Sequence, residues 1–338
     1  MRTSPSPRSR IRALLPRHDS RGIASRSWQA RRRPARHRGS ALVAEAGNDS
    51  VQSVPVWARV HLTHAALQAV ADEARVDILH IKGPTDAAFR AAVHDSTDAD
   101  VLVRPEQLET FVRALRARGW SLYSDFDEGS PFGHAANYQH PSWTWVDVHR
   151  RIPGFRESPE TVFDRLWRER GVLAIAHRPC TVLSPRGQVL VQTMHVARSH
   201  GYDQSETWQQ CPEQLKPQVR ALAEELEGQA AFAAGIGELE LHRDDPDYAL
   251  WDYWSREGGD RLEEWRARFR SAEGFRARMR VLARATRVNR THLRIRLGHE
   301  PTGREVVAEQ FARVGKAAGS AGRALASRLR GHDDGAST

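Results

Sequence analysis

The stretch His80–Val103 reads HIKGPTDAAFRAAVHDSTDADVLV, and the fold turns on how it divides. Val76–Ile81 (VDILHI) is a short apolar run of strand type, and Gly83-Pro84 breaks it. Pro84 suits the first turn of a helix running through Ala92. Ala99–Val103 is then a second strand, entered through Asp98 and Asp100. Residues two apart in a strand project to one face, so the two carboxylates stand together. They are either a metal site or two solvated acids at a strand start.

Working outward, Val56–Ala74 reads as a helix, with Val60, Leu67 and Val70 near helical spacing. Pro105 opens another, with Leu108, Phe111, Val112 and Leu115 on one face and Gly119 closing it. Trp120–Ser124 reads as a third strand, followed by the turn-rich loop DFDEGSPFG. Ala135–Gln139 and Ser142–Arg150 form a hairpin in which TWVDVH alternates polar and apolar. Asp147 and His149 thus share a face opposite Val146 and Val148. If that strand lies beside the Asp98 strand, three acids converge. The predicted fold class is α/β (α+β): a mixed sheet in a domain of residues 51–155. After Pro153 the pattern turns helical, near 159–170, 185–199, 213–234, 246–257, 260–285 and 303–330, with CTVLSP as a short strand. A helical domain over 156–300 and a C-terminal helix and tail over 301–338 complete the expected organisation.

Residues 1–50 form an expected disordered basic arm. Its first 40 residues hold twelve arginines against one acid, Asp19. That +11 exceeds the chain's net +9 and leaves −2 for the remainder. The arm reads as upstream translated sequence, as a segment touching nucleic acid or anionic lipid, or as a targeting peptide. No apolar run is long enough for a membrane span. Cys180 and Cys211 match no zinc spacing and no disulfide framework, which makes a cytoplasmic location the default. Only Lys82, Lys216 and Lys316 are lysine among 51 basic residues, which draws attention to Lys82 beside the glycine turn.

Carboxylates sharing a face disfavour each other's ionised form, and a cation between them relieves this. Hard divalent ions take such oxygen ligands and leave positions for substrate phosphates. A glycine turn before a helix attracts phosphate, and Lys82 adds a point charge. These are the parts of metal-assisted phosphoryl transfer. Ten tryptophans, among them Trp143, Trp145, Trp251, Trp254 and Trp265, offer either a base-stacking platform or core packing.

The segments IKGPTDAAF, DADVLV and VDVH resemble the uncharacterised bacterial nucleotidyltransferase family, a branch of the polymerase-β-like superfamily. The resemblance covers Pro55–Arg151 and extends more loosely to QVLVQTMHVARSH, around His195. It implies Lys82 and Gly83 at a nucleotide-phosphate turn, and Mg²⁺, as two ions, on Asp98 and Asp100. It implies Asp147 as a third ligand or as the base, with His149 as a neighbour in the nucleotide-binding group. Ala99 stands where the family has a larger aliphatic, and VHDST lacks the arginine common before the first acid. His195 reads as a packed helix histidine, and its five-residue spacing from His200 is poor for sharing a metal. The implied reaction transfers a nucleoside monophosphate from an NTP to an acceptor. A sugar, an antibiotic, a peptide, a protein side chain and an RNA end all remain open as that acceptor. The competing readings are a non-catalytic nucleotide-binding accessory protein of the same fold, and nucleic-acid binding through the basic arm. The sequence leaves oligomeric state unread.

Overall fold

In the computed structural model, residues 54–89, 96–127, 130, 132–198, 205–256, 259, 261–286, 288–312 and 315 are described. The arm of residues 1–50 and the tail beyond 315 lie outside them. The described residues belong to one compact unit, residues 47–338.

The chain begins with α1 (Val56–Ala74), β1 (Ile78–His80), a 3₁₀ stretch (Gly83–Phe89) and β2 (Asp98–Val103). A second 3₁₀ turn (Pro105–Gln107) leads into α2 (Leu108–Ala117), then β3 (Ser121–Ser124), β4 (Ala135–Gln139) and β5 (Trp145–His149). Next come α3 (Pro159–Arg168), β6 (Gly171–Ile175), β7 (Arg178–Val182) and α4 (Pro185–Val196). The rest is helical: α5 (Glu206–Gln209), α6 (Lys216–Glu225), α7 (Gln229–Ile236), α8 (Tyr248–Ser255), α9 (Arg261–Ser271), α10 (Gly274–Thr286) and α11 (Arg290–Leu297). Residues 303–312 are also helical.

The seven strands form one mixed sheet in the order β3-β4-β5-β2-β1-β7-β6. β2 is its central strand, antiparallel to β1 and parallel to β5. The β4–β5 pair is antiparallel, as its alternation predicts. Period-two geometry divides the strand residues between two cores. Ala99, Val101, Val103, Val146 and Val148 pack with Phe111, Leu115 and Leu67 under α1 and α2. Leu102 and Ile81 face the other way and join Phe163, Leu166, Leu190 and Trp251 in the helical half. Each such buried large side chain contributes about 1.5–3 kcal/mol. The second face is the one that carries Asp98, Asp100 and Asp147.

The helical half is centred on α4, whose residues Gly187–Met194 are all buried. Ser184 caps it by accepting from the Gly187 N–H, with Pro185 in its first turn. α7 crosses it so closely that a Cβ at Gly235 would lie 2.3 Å from the Thr193 carbonyl oxygen; only glycine fits there.

Several elements differ from the sequence expectation. The helix expected after Pro84 is a 3₁₀ stretch ending at Phe89, and residues 90–95 are outside the described set. The single helix expected over 213–234 is two, because Glu227 turns left-handed (φ 51) ahead of Gly228. Gly274 (φ 76) likewise starts α10 apart from α9. β6 was not anticipated: it pairs with β7 through Ala176 and His177, both at positive φ. A two-residue hairpin turn usually announces itself by Asn-Gly or Asp-Gly, and Ala-His carries no such signal.

Between α1 and β1 lies a buried histidine pair. His64 Nδ1 and His80 Nδ1 are 2.7 Å apart, and both residues are wholly buried. The surrounding bonds fix the tautomers. Gln68 accepts from the Thr181 N–H (2.9 Å) and donates to Asp72 (2.8 Å), so its oxygen faces His80 Nε2 at 3.3 Å. His80 therefore donates from Nε2 and accepts at Nδ1, and His64 donates from Nδ1. Both rings must stay neutral. Burial pushes the His64 pKa down to about 4 and His80 well below its usual value. A histidine depressed on folding stabilises the protein above its unfolded pKa near 6.5, and that stability is lost as pH falls toward 4. Denaturant titrations from pH 7 to pH 4 are expected to show stability falling by about 3 kcal/mol from His64 alone. His64→Gln should reduce that slope, and an unchanged slope would contradict the assignment.

Candidate active site

The parallel register of β2 and β5 sets Asp100 directly opposite Asp147, and Asp98 opposite Trp145. Because both strands expose the same parity to the helical half, the acids share one face. Ligand atoms of Asp100, Asp147 and His149 all lie within 4.8 Å of one another. Asp98 stands outside that group. Its carboxylate accepts from Ser96 Oγ (3.2 Å), which also reaches the Asp98 carbonyl at 2.8 Å.

Asp100 is the centre. It is 2% exposed, and its Oδ1 accepts from Lys82 Nζ at 2.6 Å and from His149 Nε2 at 2.8 Å. Burial would raise its pKa, but Lys82 and the His149 bond outweigh this and hold it well below the carboxylate range. Burial would lower the Lys82 pKa, and Asp100, then Asp98 and Asp147, raise it instead. Burial keeps His149 neutral. Since its Nε2 donates to Asp100, its Nδ1 carries a lone pair, buried and without a partner. In this arrangement His149 orients Asp100.

The other two acids lack such compensation. Burial, with Asp100 and Asp98 nearby, pushes the Asp147 pKa up to about 7. Asn137 Nδ2 donates to its Oδ1 and is itself positioned by Ser124 Oγ. Burial and Asp100 raise Asp98 as well. One ammonium facing three carboxylates leaves room for additional positive charge. Oxygen donors of this kind fit a hard divalent cation.

Gly83, beside Lys82, sits at φ 73, and a Cβ there would lie 3.3 Å from His64 Nε2. The turn thus rests on the buried histidine pair. On the far side of the acids, His134 and His149 have ring centres 5.1 Å apart. Arg198, just past α4, donates to His134 Nε2 (3.0 Å) and to His195 Nδ1 (2.9 Å). Of the residues read from the sequence, Lys82, Asp100, Asp147 and His149 come together on one face of the sheet, with Gly83 beside Lys82 and Asp98 two residues away from Asp100 on β2. His195 is not packed passively, since it holds Arg198; His200 is outside the described residues. Reasoning from the sequence missed His64, His80, Asn137, His134 and Arg198. The only signal was the number of histidines, which does not say which of them meet. Trp251 and Trp254 belong to the helical core, with Trp251 stacked on Phe132 at 5.8 Å.

The geometry sets three carboxylates, a lysine and a glycine turn beside one another. Residues 59–210 match the family described as uncharacterised nucleotidyltransferase. No curated protein sequence matches the chain. Among solved structures, it is similar to the lincosamide antibiotic adenylyltransferase LnuA with lincomycin bound. That match has 15% identity and a TM-score of 0.29, and covers 48% of this chain and 94% of that one. It is also similar to the antibiotic-resistance factor ANT(2'')-Ia, with 16% identity and a TM-score of 0.34, covering 56% of this chain and 99% of that one. A third is an antigenic nucleotidyltransferase-like protein from Paracoccidioides brasiliensis, with 14% identity and a TM-score of 0.32, covering 53% and 94%. Likeness at this level carries no argument about acceptor.

A carboxyl whose folded pKa is raised stabilises the fold below its unfolded pKa, near 3.8, and loses that contribution as pH rises through about 7. Asp147→Asn, without divalent ions, is therefore expected to raise the melting temperature more at pH 8 than at pH 5. Equal effects at both pH values would show that Asp147 is not held protonated.

Proposed function

We propose that the protein is a Mg²⁺-dependent nucleotidyltransferase that moves a nucleoside monophosphate from an NTP to an acceptor hydroxyl or phosphate. The observation that carries this is the β2–β5 register, which sets Asp100 against Asp147 while Lys82 and the Gly83 turn close over the same strand ends. Asp98, Asp100 and Asp147 would hold the metal, as one or two ions, and Lys82 and Gly83 would meet the triphosphate. The raised pKa of Asp147 and the ammonium already seated on Asp100 both mark a place where positive charge is favoured.

Bound Mg²⁺ supplies charge neutralisation on the phosphate oxygens. The protein's own groups do the rest. Lys82 turns its charge from Asp100 toward the phosphates. Asp147, where it is not itself a metal ligand, takes the proton of the acceptor. The acceptor oxygen bonds to the α-phosphorus, the bond from that phosphorus to the bridging oxygen breaks, and pyrophosphate departs with the bond pair. His149 holds Asp100 in place throughout. In this reading residues 51–155 carry the acids and the turn, and the helical domain, 156–300, covers that face, in a cytoplasmic protein. Among the described residues no helix is long and apolar enough to cross a membrane.

Calorimetric titration with each NTP and Mg²⁺ is expected to show binding in the wild type. It should be lost, by at least tenfold in affinity, in Asp98→Ala with Asp100→Ala. Pyrophosphate release on addition of the right acceptor should vanish in the same variant. Mg²⁺-independent nucleotide binding with no pyrophosphate release under an acceptor screen would instead favour an accessory protein of the same fold. Binding of nucleic acid that falls steeply with salt and disappears on deleting residues 1–40 would assign a separate role to the arm.

A further inference from the structure

The cation that the transfer chemistry above does not use is Arg198. Its two terminal nitrogens donate to His134 Nε2 at 3.0 Å and His195 Nδ1 at 2.9 Å. A guanidinium has no acceptor, so both imidazoles offer lone pairs to it and both are neutral. The His134 proton then sits on Nδ1, facing Ser130 Oγ at 2.7 Å. Burial and Arg198 together depress His134 far below its usual pKa, and His195 is likewise depressed, by burial and Lys82. The trio therefore carries a full positive charge that neither histidine offsets.

Other arginines of the helical half are treated differently. Arg268 pairs with Glu264 at 2.8 Å, Arg165 with Glu169 and Glu225, and Arg156 with Asp247 and Glu273. Among the described residues Arg198 has no carboxylate partner, and its buried Nε has no hydrogen-bond partner. Its charge is disfavoured enough that burial lowers its pKa to about 10, with only Asp100 acting in the opposite direction. A buried guanidinium without a counter-ion is costly. Two imidazole acceptors and the Phe132 ring, 5.6 Å from its carbon, orient this one without neutralising it.

Its location gives the missing partner. His134, which Arg198 holds, is ring-to-ring with His149, and His149 is bonded to Asp100. Arg198 retains partial solvent access. Asp100 acts on its charge, and both Lys82 and Arg198 act on His195, so Arg198 stands within electrostatic reach of the same acids as Lys82. A planar fork of donors matches phosphate oxygens bidentately.

We propose that Arg198, clamped by His134 and His195, binds a phosphate oxyanion of the substrate, namely the non-transferred phosphates of the NTP that leave as pyrophosphate. This deepens the nucleotidyltransferase reading and rests on it. Lys82 meets the triphosphate from the Gly83 turn and Arg198 from the end of α4, so the leaving group is gripped between sheet and helical half.

The test is calorimetric titration of the full chain, with Mg²⁺, using inorganic tripolyphosphate, NTP and nucleoside monophosphate as separate probes. Arg198→Gln is expected to weaken tripolyphosphate and NTP at least tenfold while leaving the monophosphate within twofold. Arg198→Lys, which keeps charge and volume and guards against misfolding of the first variant, should recover only part of the loss. Circular dichroism and melting temperature establish that each variant is folded. A folded Arg198→Gln protein with wild-type tripolyphosphate affinity overturns the proposal, and so does a wild type that binds neither tripolyphosphate nor NTP. A loss confined to the monophosphate moves the subsite to a transferred or acceptor phosphate and overturns the leaving-group assignment. The two readings fail separately. If Asp98→Ala with Asp100→Ala abolishes NTP binding and Arg198→Gln does not, only the Arg198 inference falls. If the acid variant changes nothing, the transferase reading falls.

Discussion

The arrangement depends on one desolvated contact, Lys82 Nζ against Asp100 Oδ1, in the middle of a sheet buried on both faces. A carboxylate at that depth is costly unless it is paired and hydrogen-bonded. Asp100 receives an ammonium and an imidazole N–H on one oxygen. Asp147 and Asp98, within the reach of its field, receive only neutral donors from the protein. The difference in compensation sets the pKa order: Asp100 down, Asp98 and Asp147 up. Three identical side chains are given different protonation behaviour by which strand neighbour each meets. The same separation of carboxyls is what acid–base assignment in catalytic sites rests on.

Around these acids stands a layer of histidines kept neutral by burial, and each acts by direction rather than by charge. His80 and His64 take their tautomers from Gln68 and support the Gly83 turn from beneath. His149 fixes the Asp100 carboxylate. His134 and His195 accept from Arg198. Neutral imidazoles leave the positive charge beside the acids to cations such as Lys82 and Arg198. The helical half is thus more than a cover for the apolar face of the sheet: α4 and the turn just past it carry His195 and Arg198, and His134 stands just before β4.

The sequence went far where local chemistry is periodic. Val56–Ala74 matches the observed α1 at both ends, β3 and β4 fall within the stretches read as strands, and β5 follows the alternation of TWVDVH. The Asp-x-Asp pair and Asp147 were legible because strand parity places alternate residues on one face and TWVDVH shows that parity plainly. The 3₁₀ form of Gly83–Phe89, the breaks at Glu227 and Gly274, and the β6–β7 hairpin were not legible. They depend on backbone conformations that residues such as Glu, Ala and His adopt only when their surroundings require it.

What the sequence by itself determined was an inventory and a parity: three acids on one face, a lysine beside a glycine turn, and a family of folds able to join them. What only the tertiary structure decided was pairing. The parallel register of β2 with β5 put Asp100, rather than Asp98, opposite Asp147, and grouped it with His149. Burial then chose which acid is ionised, and the packing of α4 brought Arg198 from a hundred residues away without a carboxylate partner among the described residues. Contacts between residues far apart in the chain leave no mark in local pattern, and desolvation has no value until the neighbours that exclude water are in place.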